Sequence, residues 1–153
     1  DPSDLSDAIR VLRKIGLDDV RGYFDASKVR DSGMASESYA SGTPAELKPR
    51  IESGEVKLID VRSDEEWKSG HIAEAEHQFL GRLPDNVASI DNSKPIVTQC
   101  QGGARSAIAA SILKANGLES VNMTGGFGAW TDAGLPVVQS DTASCEADSQ
   151  SCT

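Results

Sequence analysis

The sequence predicts an α/β domain: a mostly parallel sheet with helices on both faces. Two observations lead there. Between Thr43 and Pro136 helix-type and strand-type segments alternate, the pattern of strands joined by crossover helices. The strand-type runs are short and rich in apolar and β-branched residues, as expected of strands buried from both sides.

Taken in order, "TPAELKPRIESG" opens with Thr43, Pro44 and Glu46, a capping-box arrangement with proline at the first helical position. "EVKLIDV" is a strand, and "SDEEWKSG" repeats the capping logic with Ser63 and Glu66. "EHQFL" reads as a second short strand, "LPDNVASID" as a short helix and "KPIVTQ" as a buried strand. "RSAIAASILKANG" has apolar positions at helical spacing and a glycine stop at Gly117. The strand "ESVNM" and the loop "TGGFGAW" follow.

The 153 residues suffice for one full domain and part of another. The chain is 38% hydrophobic and 25% charged, with a net charge of -9. Such an acidic surface repels nucleic acid and anionic membranes, so neither is an expected partner. No apolar run approaches the ~20 residues that span a bilayer, and "DPSDLSDAIR" lacks the basic and apolar regions of a signal peptide, so the cytoplasm is the expected location. Cys100, Cys145 and Cys152 form no disulfide framework and lack the spacing and histidine partners of a zinc site. No metal is expected.

Upstream of Thr43 the chain partly repeats itself. Residues 3–36 written without a gap above residues 104–137 place "VLRKIGLDDV" over "ILKANGLESV" and "VRDSGM" over "WTDAGL". Residues 1–42 are therefore read as the tail half of a degenerate preceding module plus a linker, residues 43–138 as the main domain, and residues 139–153 as a polar flexible tail. In this register the position over Cys100 falls before the first residue, so no second active site is expected. Cys145 and Cys152, in the tail, read as incidental exposed thiols.

Chemistry concentrates in "QCQGGARS". Cys100 stands where a strand gives way to a helix, beyond the carboxyl end of the strand, which is where α/β sheets place reactive groups. Gly102, Gly103 and Ala104 let the backbone curl so that successive N–H groups point into the loop. The helix adds its positive end and Arg105 a full charge. Together these favour a Cys100 thiolate below the ~8.5 of a free cysteine.

Four pieces in sequence order, "VKLIDVRSDEEWKSGHIAEA", "LPDN", "KPIVTQCQGGARSAIAASIL" and "GLESVNMTGGFGAWTDAGLPV", resemble the rhodanese (sulfurtransferase) superfamily over about ninety residues. The "LGRLPD" and "CQGGARSAIAASIL" stretches look most like the C-terminal module of proteins fusing a metallo-β-lactamase-fold domain to tandem rhodanese modules. The resemblance implies a three-layer fold on a five-stranded, mostly parallel sheet, and a sulfur relay. Cys100 would take a sulfane sulfur from thiosulfate or a small-molecule or protein persulfide, become a persulfide, and pass the outer sulfur to a thiol or cyanide-type acceptor. Gln101, Gly102, Gly103, Ala104 and Arg105 would form the cradle, with Arg105 anchoring the loop or the donor's anionic group. Ser106 is the start of the helix and possible loop support. No cofactor is implied. A metallo-β-lactamase-fold domain upstream is a possible partner.

Two rivals are weighed against this. Related phosphatase and arsenate-reductase loops hold one more residue between cysteine and arginine than the four of "CQGGAR", and the shorter ring suits a single sulfur atom better than a tetrahedral oxyanion. A non-catalytic binding or regulatory module is the other rival, and the retained cysteine, glycines and arginine argue against it. Asp60 and Arg62, in "DVR", are possible loop support, with Asp60 read mainly as capping the following turn. His71 is read as a packing and hydrogen-bonding residue, His77 as an ordinary part of the strand, Trp67 and Trp130 as core or module-packing residues, and Glu65 and Glu66 as helix-start carboxylates.

Overall fold

A computed structural model of the chain describes residues 4–14, 19–34 and 38–139. The chain divides into two compact units, Asp1–Glu37 and Ser38–Thr153. The first carries helices α1 (Leu5–Lys14) and α2 (Ala26–Asp31). None of its described residues is buried, and Val11, Tyr23, Phe24 and Met34 stand out as exposed apolar side chains.

The second unit is built on five parallel strands: β1 (Ala40–Gly42), β2 (Lys57–Asp60), β3 (Ala75–His77), β4 (Ile96–Gln99) and β5 (Ser120–Met123), in the order β1-β5-β4-β2-β3. Its helices are α3 (Pro44–Glu52), α4 (Asp64–Ser69), α5 (Leu83–Asn86), α6 (Ala104–Ala115) and α7 (Gly126–Asp132). Side chains alternate across each strand, so Leu58 and Val97 join Leu47, Ile51, Met123 and Trp130 on one face. Ile59 and Ile96 join Leu83, Ala109 and Leu113 on the other. The expected three-layer α/β arrangement is thus present, and β4 is the strand buried at all four positions. Both capping boxes form, at Thr43/Glu46 and Ser63/Glu66.

Three local expectations need correction. The stretch before Thr43, read as linker, supplies the edge strand β1, paired with β5 in the register Ala40↔Val121. Its residues "ASG" carry no strand preference, and the ladder along β5 holds them extended. The unit boundary accordingly falls before Ser38. Most of the expected loop "TGGFGAW", from Gly126 on, forms α7 despite its glycines, and this helix buries its own Trp130 in the core. The third concerns β3, which stops at His77, two residues after Ala75 and short of the expected "EHQFL". Cys145, Cys152 and the tail lie outside the described residues.

Candidate active site

Cys100 follows β4 directly and is 1% exposed. Its side chain packs among Ile59, Val61 and Ala109, so burial pushes the thiol pKa up. Four donors more than offset this and leave it below its ordinary value: the Ser106 hydroxyl and the backbone N–H groups of Ser106, Gly102 and Gly103. The Gly103 N–H lies 3.1 Å from Sγ, and Ser106 shares its hydroxyl between Sγ (3.4 Å) and the Gly103 carbonyl (3.0 Å). The bend that brings these donors round the sulfur depends on Gly103, which caps α6 at φ 96°, a left-handed conformation that favours glycine. Thr98, on β4, donates to the Ser106 carbonyl at 3.0 Å and so ties the strand to the helix start.

The loop backbone is also held from the far side. Phe127 and Gly128, in the first turn of α7, donate their N–H groups to the carbonyls of Cys100 (2.7 Å) and Gln101 (2.9 Å). The approach is so close that a Cβ on Gly126 would lie 2.0 Å from the Cys100 carbonyl oxygen. Below the loop, Asp60 and Arg62 form a fully buried ion pair at 2.7 Å. Arg62 also donates to the Gly70 carbonyl at 2.7 Å, stacks 4.0 Å over the Phe127 ring and reaches the Gln101 side chain at 3.5 Å. Asp60 Oδ1 accepts the Arg62 backbone N–H as well (2.9 Å), so one carboxylate both caps the turn and holds the cation.

Arg105 points across to α4. Its two terminal nitrogens each lie 2.7 Å from one oxygen of Glu66, a bidentate pair. The guanidinium brings the Glu66 carboxyl down to about 2. Glu66 in turn raises the Arg105 pKa, with burial opposing and the Cys100 thiolate a smaller contributor. Gln101, Gly102 and Ala104 are exposed. A cleft of about 520 Å³ opens at the other end of the sheet, near Pro95, Glu119 and Ser120, away from this chemistry.

A strand-end cysteine ringed by N–H donors at a helix start invites comparison with known proteins. Residues 43–133 match the rhodanese-like domain family. The chain belongs to that family. Among curated relatives it is 40% identical over 87 residues to "Putative sulfurtransferase YtwF" of Bacillus subtilis, covering 56% of this chain and 84% of that one. It is 38% identical over 97 residues to the "HTH-type transcriptional regulator Rv0324" of Mycobacterium tuberculosis, covering 62% of this chain but 43% of the regulator. Among solved structures, a rhodanese-related protein from Thermoplasma volcanium is 30% identical with a TM-score of 0.63, covering 67% of this chain and all of that one.

Within this rhodanese-like domain the structure brings Cys100, Gly102, Gly103 and Ser106 to one sulfur. Ser106, expected as the helix start, lies inside the helix that begins at Ala104 and touches the thiol itself. Gln101 turns toward Arg62. His71 and His77 stack on Trp67, at 3.7 and 4.9 Å between ring centroids, and bond the carbonyls of Trp67 and Arg62, a packing role. Sequence reasoning missed the Glu66–Arg105 tie, since 39 residues separate the partners and the capping box already explained Glu66. It also missed what "GGFG" does, although glycine crowding at a helix start is a sign of close backbone approach.

Proposed function

We propose that this domain is a sulfurtransferase with Cys100 as the sulfur carrier. The observation that carries the reading is the buried Cys100 sulfur, held below its ordinary pKa by the Ser106 hydroxyl and the loop N–H groups. The family match and the relative named a sulfurtransferase support it. The thiolate attacks the sulfane sulfur of a donor. With thiosulfate, the donor S–S bond breaks and its electron pair leaves on sulfite; with a persulfide, it leaves on a thiolate. Cys100 then holds one extra sulfur, whose negative charge the same N–H groups stabilise. A thiol or cyanide-type acceptor attacks that outer sulfur and returns Cys100 as thiolate, so electrons balance without an oxidant.

Cytosolic operation, where thiols stay reduced, and an upstream metallo-β-lactamase-fold domain belong to the same proposal. A second reading, a sulfur-independent regulatory module, draws on the resemblance to a transcriptional regulator.

Intact mass separates the two. Incubation with thiosulfate or glutathione persulfide is expected to add one sulfur at Cys100, removed by cyanide as thiocyanate, and Cys100→Ser is expected to gain none while keeping its fold. A wild-type chain that takes sulfur from neither donor overturns the sulfurtransferase reading.

A further inference from the structure

Arg105 follows the sulfur cradle, where a cation would ordinarily receive an anionic donor. Its bidentate face is instead spent on Glu66, at 2.7 Å for both contacts. Glu66 does not drift to meet it. The Ser63 backbone N–H donates to Glu66 Oε2 at 3.1 Å and the Ser63 hydroxyl accepts the Glu66 N–H at 3.3 Å, which fixes the carboxylate at the start of α4. Arg62 is likewise spent, on Asp60 and the Gly70 carbonyl beneath the loop. Asp64 and Glu65 add two more carboxylates in the first turn of α4, with Arg82 3.9 Å from Asp64. The rim residues Gln101, Gly102 and Ala104 are uncharged. Of the two guanidinium groups beside the loop, Arg62 is thus held by Asp60 and Arg105 by Glu66.

We propose that Glu66 is a specificity-determining residue: by holding Arg105 end-on, it engages the guanidinium that follows the cradle and so selects alkyl persulfides over the dianion thiosulfate as sulfur donor. The inference rests on the sulfurtransferase reading and names the donor class for it. In the favoured step the Cys100 thiolate attacks the outer sulfur of R–S–SH. The new Cys100 S–S bond forms as the donor S–S bond breaks. The outer sulfur keeps its proton, and the electron pair leaves on RS⁻, which takes a proton from water. The leaving group carries one charge, whereas sulfite carries two and needs a cation that Glu66 has already engaged. Nothing about this selection is a pH switch, since a Glu66 carboxyl near 2 stays ionised at any working pH.

The decisive variant is Glu66→Gln, which keeps the shape and the acceptor for the Ser63 N–H but releases the guanidinium. Steady-state rates with thiosulfate and with glutathione persulfide, each with cyanide as acceptor, are read at low and high salt. For thiosulfate kcat/KM is expected to rise about tenfold and for the persulfide to change by less than about threefold. The thiosulfate gain is expected to shrink with salt, as screening acts over about 8 Å at physiological ionic strength. Equal losses for both donors in Glu66→Gln would reduce Glu66 to a loop support and overturn the proposal. Wild type supplies a test that no folding defect can spoil: its thiosulfate rate is expected not to fall with added salt, and a steep fall would reveal a net cationic mouth and overturn the proposal. A wild-type chain loaded by neither donor removes the sulfurtransferase reading itself, and the selection falls with it. Loading by both donors with no change of ratio in Glu66→Gln removes the selection alone.

Discussion

Leu5–Asp31 and Ser106–Asp132 carry the same pattern, helix, turn, short segment, helix, in a register offset by 101 residues, and they fold differently. Both helices form in both copies: α1 lies over α6 and α2 over α7. The segment between them is β5 in the second copy, whereas Asp19–Gly22 in the first, the residues in the same register, form no strand. A helix closes its own hydrogen bonds along the chain, so pattern and caps suffice for it, and Asp25 caps α2 by accepting the Ser27 N–H at 2.8 Å. A strand needs a neighbour, and β5 has two, β1 and β4. The start of the second helix shows a further difference. The second copy has Gly126 and Gly128 where the first has Asp25 and Ser27, and in the second the Cys100 loop presses against that turn.

The comparison can be broken hardest at Gly126. Gly126→Ala places a methyl 2.0 Å from the Cys100 carbonyl oxygen at φ 56°, where the left-handed conformation alone costs about 1–2 kcal/mol. With the clash added, a loss of about 3 kcal/mol or more in stability is expected, together with a fall in sulfur transfer of at least ~100-fold. Chemical denaturation and steady-state assay check both. Near-wild-type activity would mean that α7 does not shape the loop.

Asp60→Asn tests the layer beneath. It leaves the Arg62 guanidinium buried without its counter-charge, and breaking such a pair costs about 3–5 kcal/mol. The denaturation midpoint is expected to drop accordingly. A drop under about 1 kcal/mol would show that Gly70 and Phe127 hold Arg62 by themselves.

Ser106→Ala has a smaller and more specific effect. The hydroxyl stabilises the thiolate, so its loss raises the Cys100 pKa and moves the alkylation-versus-pH curve to higher pH. Less thiolate is then present at neutral pH, and activity there is expected to fall about threefold to tenfold, for roughly one hydrogen bond lost, with recovery as pH rises. A pH-independent loss would point to the Gly103 carbonyl as the more important partner of that hydroxyl.

At the first copy's counterpart of Gly126, Asp25→Ala removes an exposed cap. Fraying of α2 is expected, seen as a slight loss of helical circular dichroism, with sulfur transfer within about twofold of wild type. A large loss of activity would tie the first unit to the chemistry and undo the contrast between the copies.

Most of the fold was legible because its signals are local. "SDEEWKSG" and "TPAELKPRIESG" state their own caps, and both capping boxes form. "KPIVTQ" states its burial, and β4 is buried at every position. The cysteine loop was legible for the same reason: glycines, helix start and thiol are contiguous in "CQGGARS". The edge strand Ala40–Gly42 was illegible because its small residues gain their extended form from β5 alone. The contact of Ser106 with the thiol was illegible because a serine in a first helical turn reads as helix start or loop support, while the bend at Gly103 brings its hydroxyl back to the sulfur.

By itself the sequence determined the alternation of elements, the caps and the place of the thiol, since each depends on residues within a few positions of one another. Only the tertiary structure decided which groups meet at the loop: Glu66 with Arg105, Arg62 with Gln101 and Phe127, and Gly126 against the Cys100 carbonyl. The physical reason is distance along the chain. These partners come from different crossovers of the sheet, and their hydrogen bonds and charge pairs exist only once β2, β4 and β5 lie side by side and bring α4, α6 and α7 to one end.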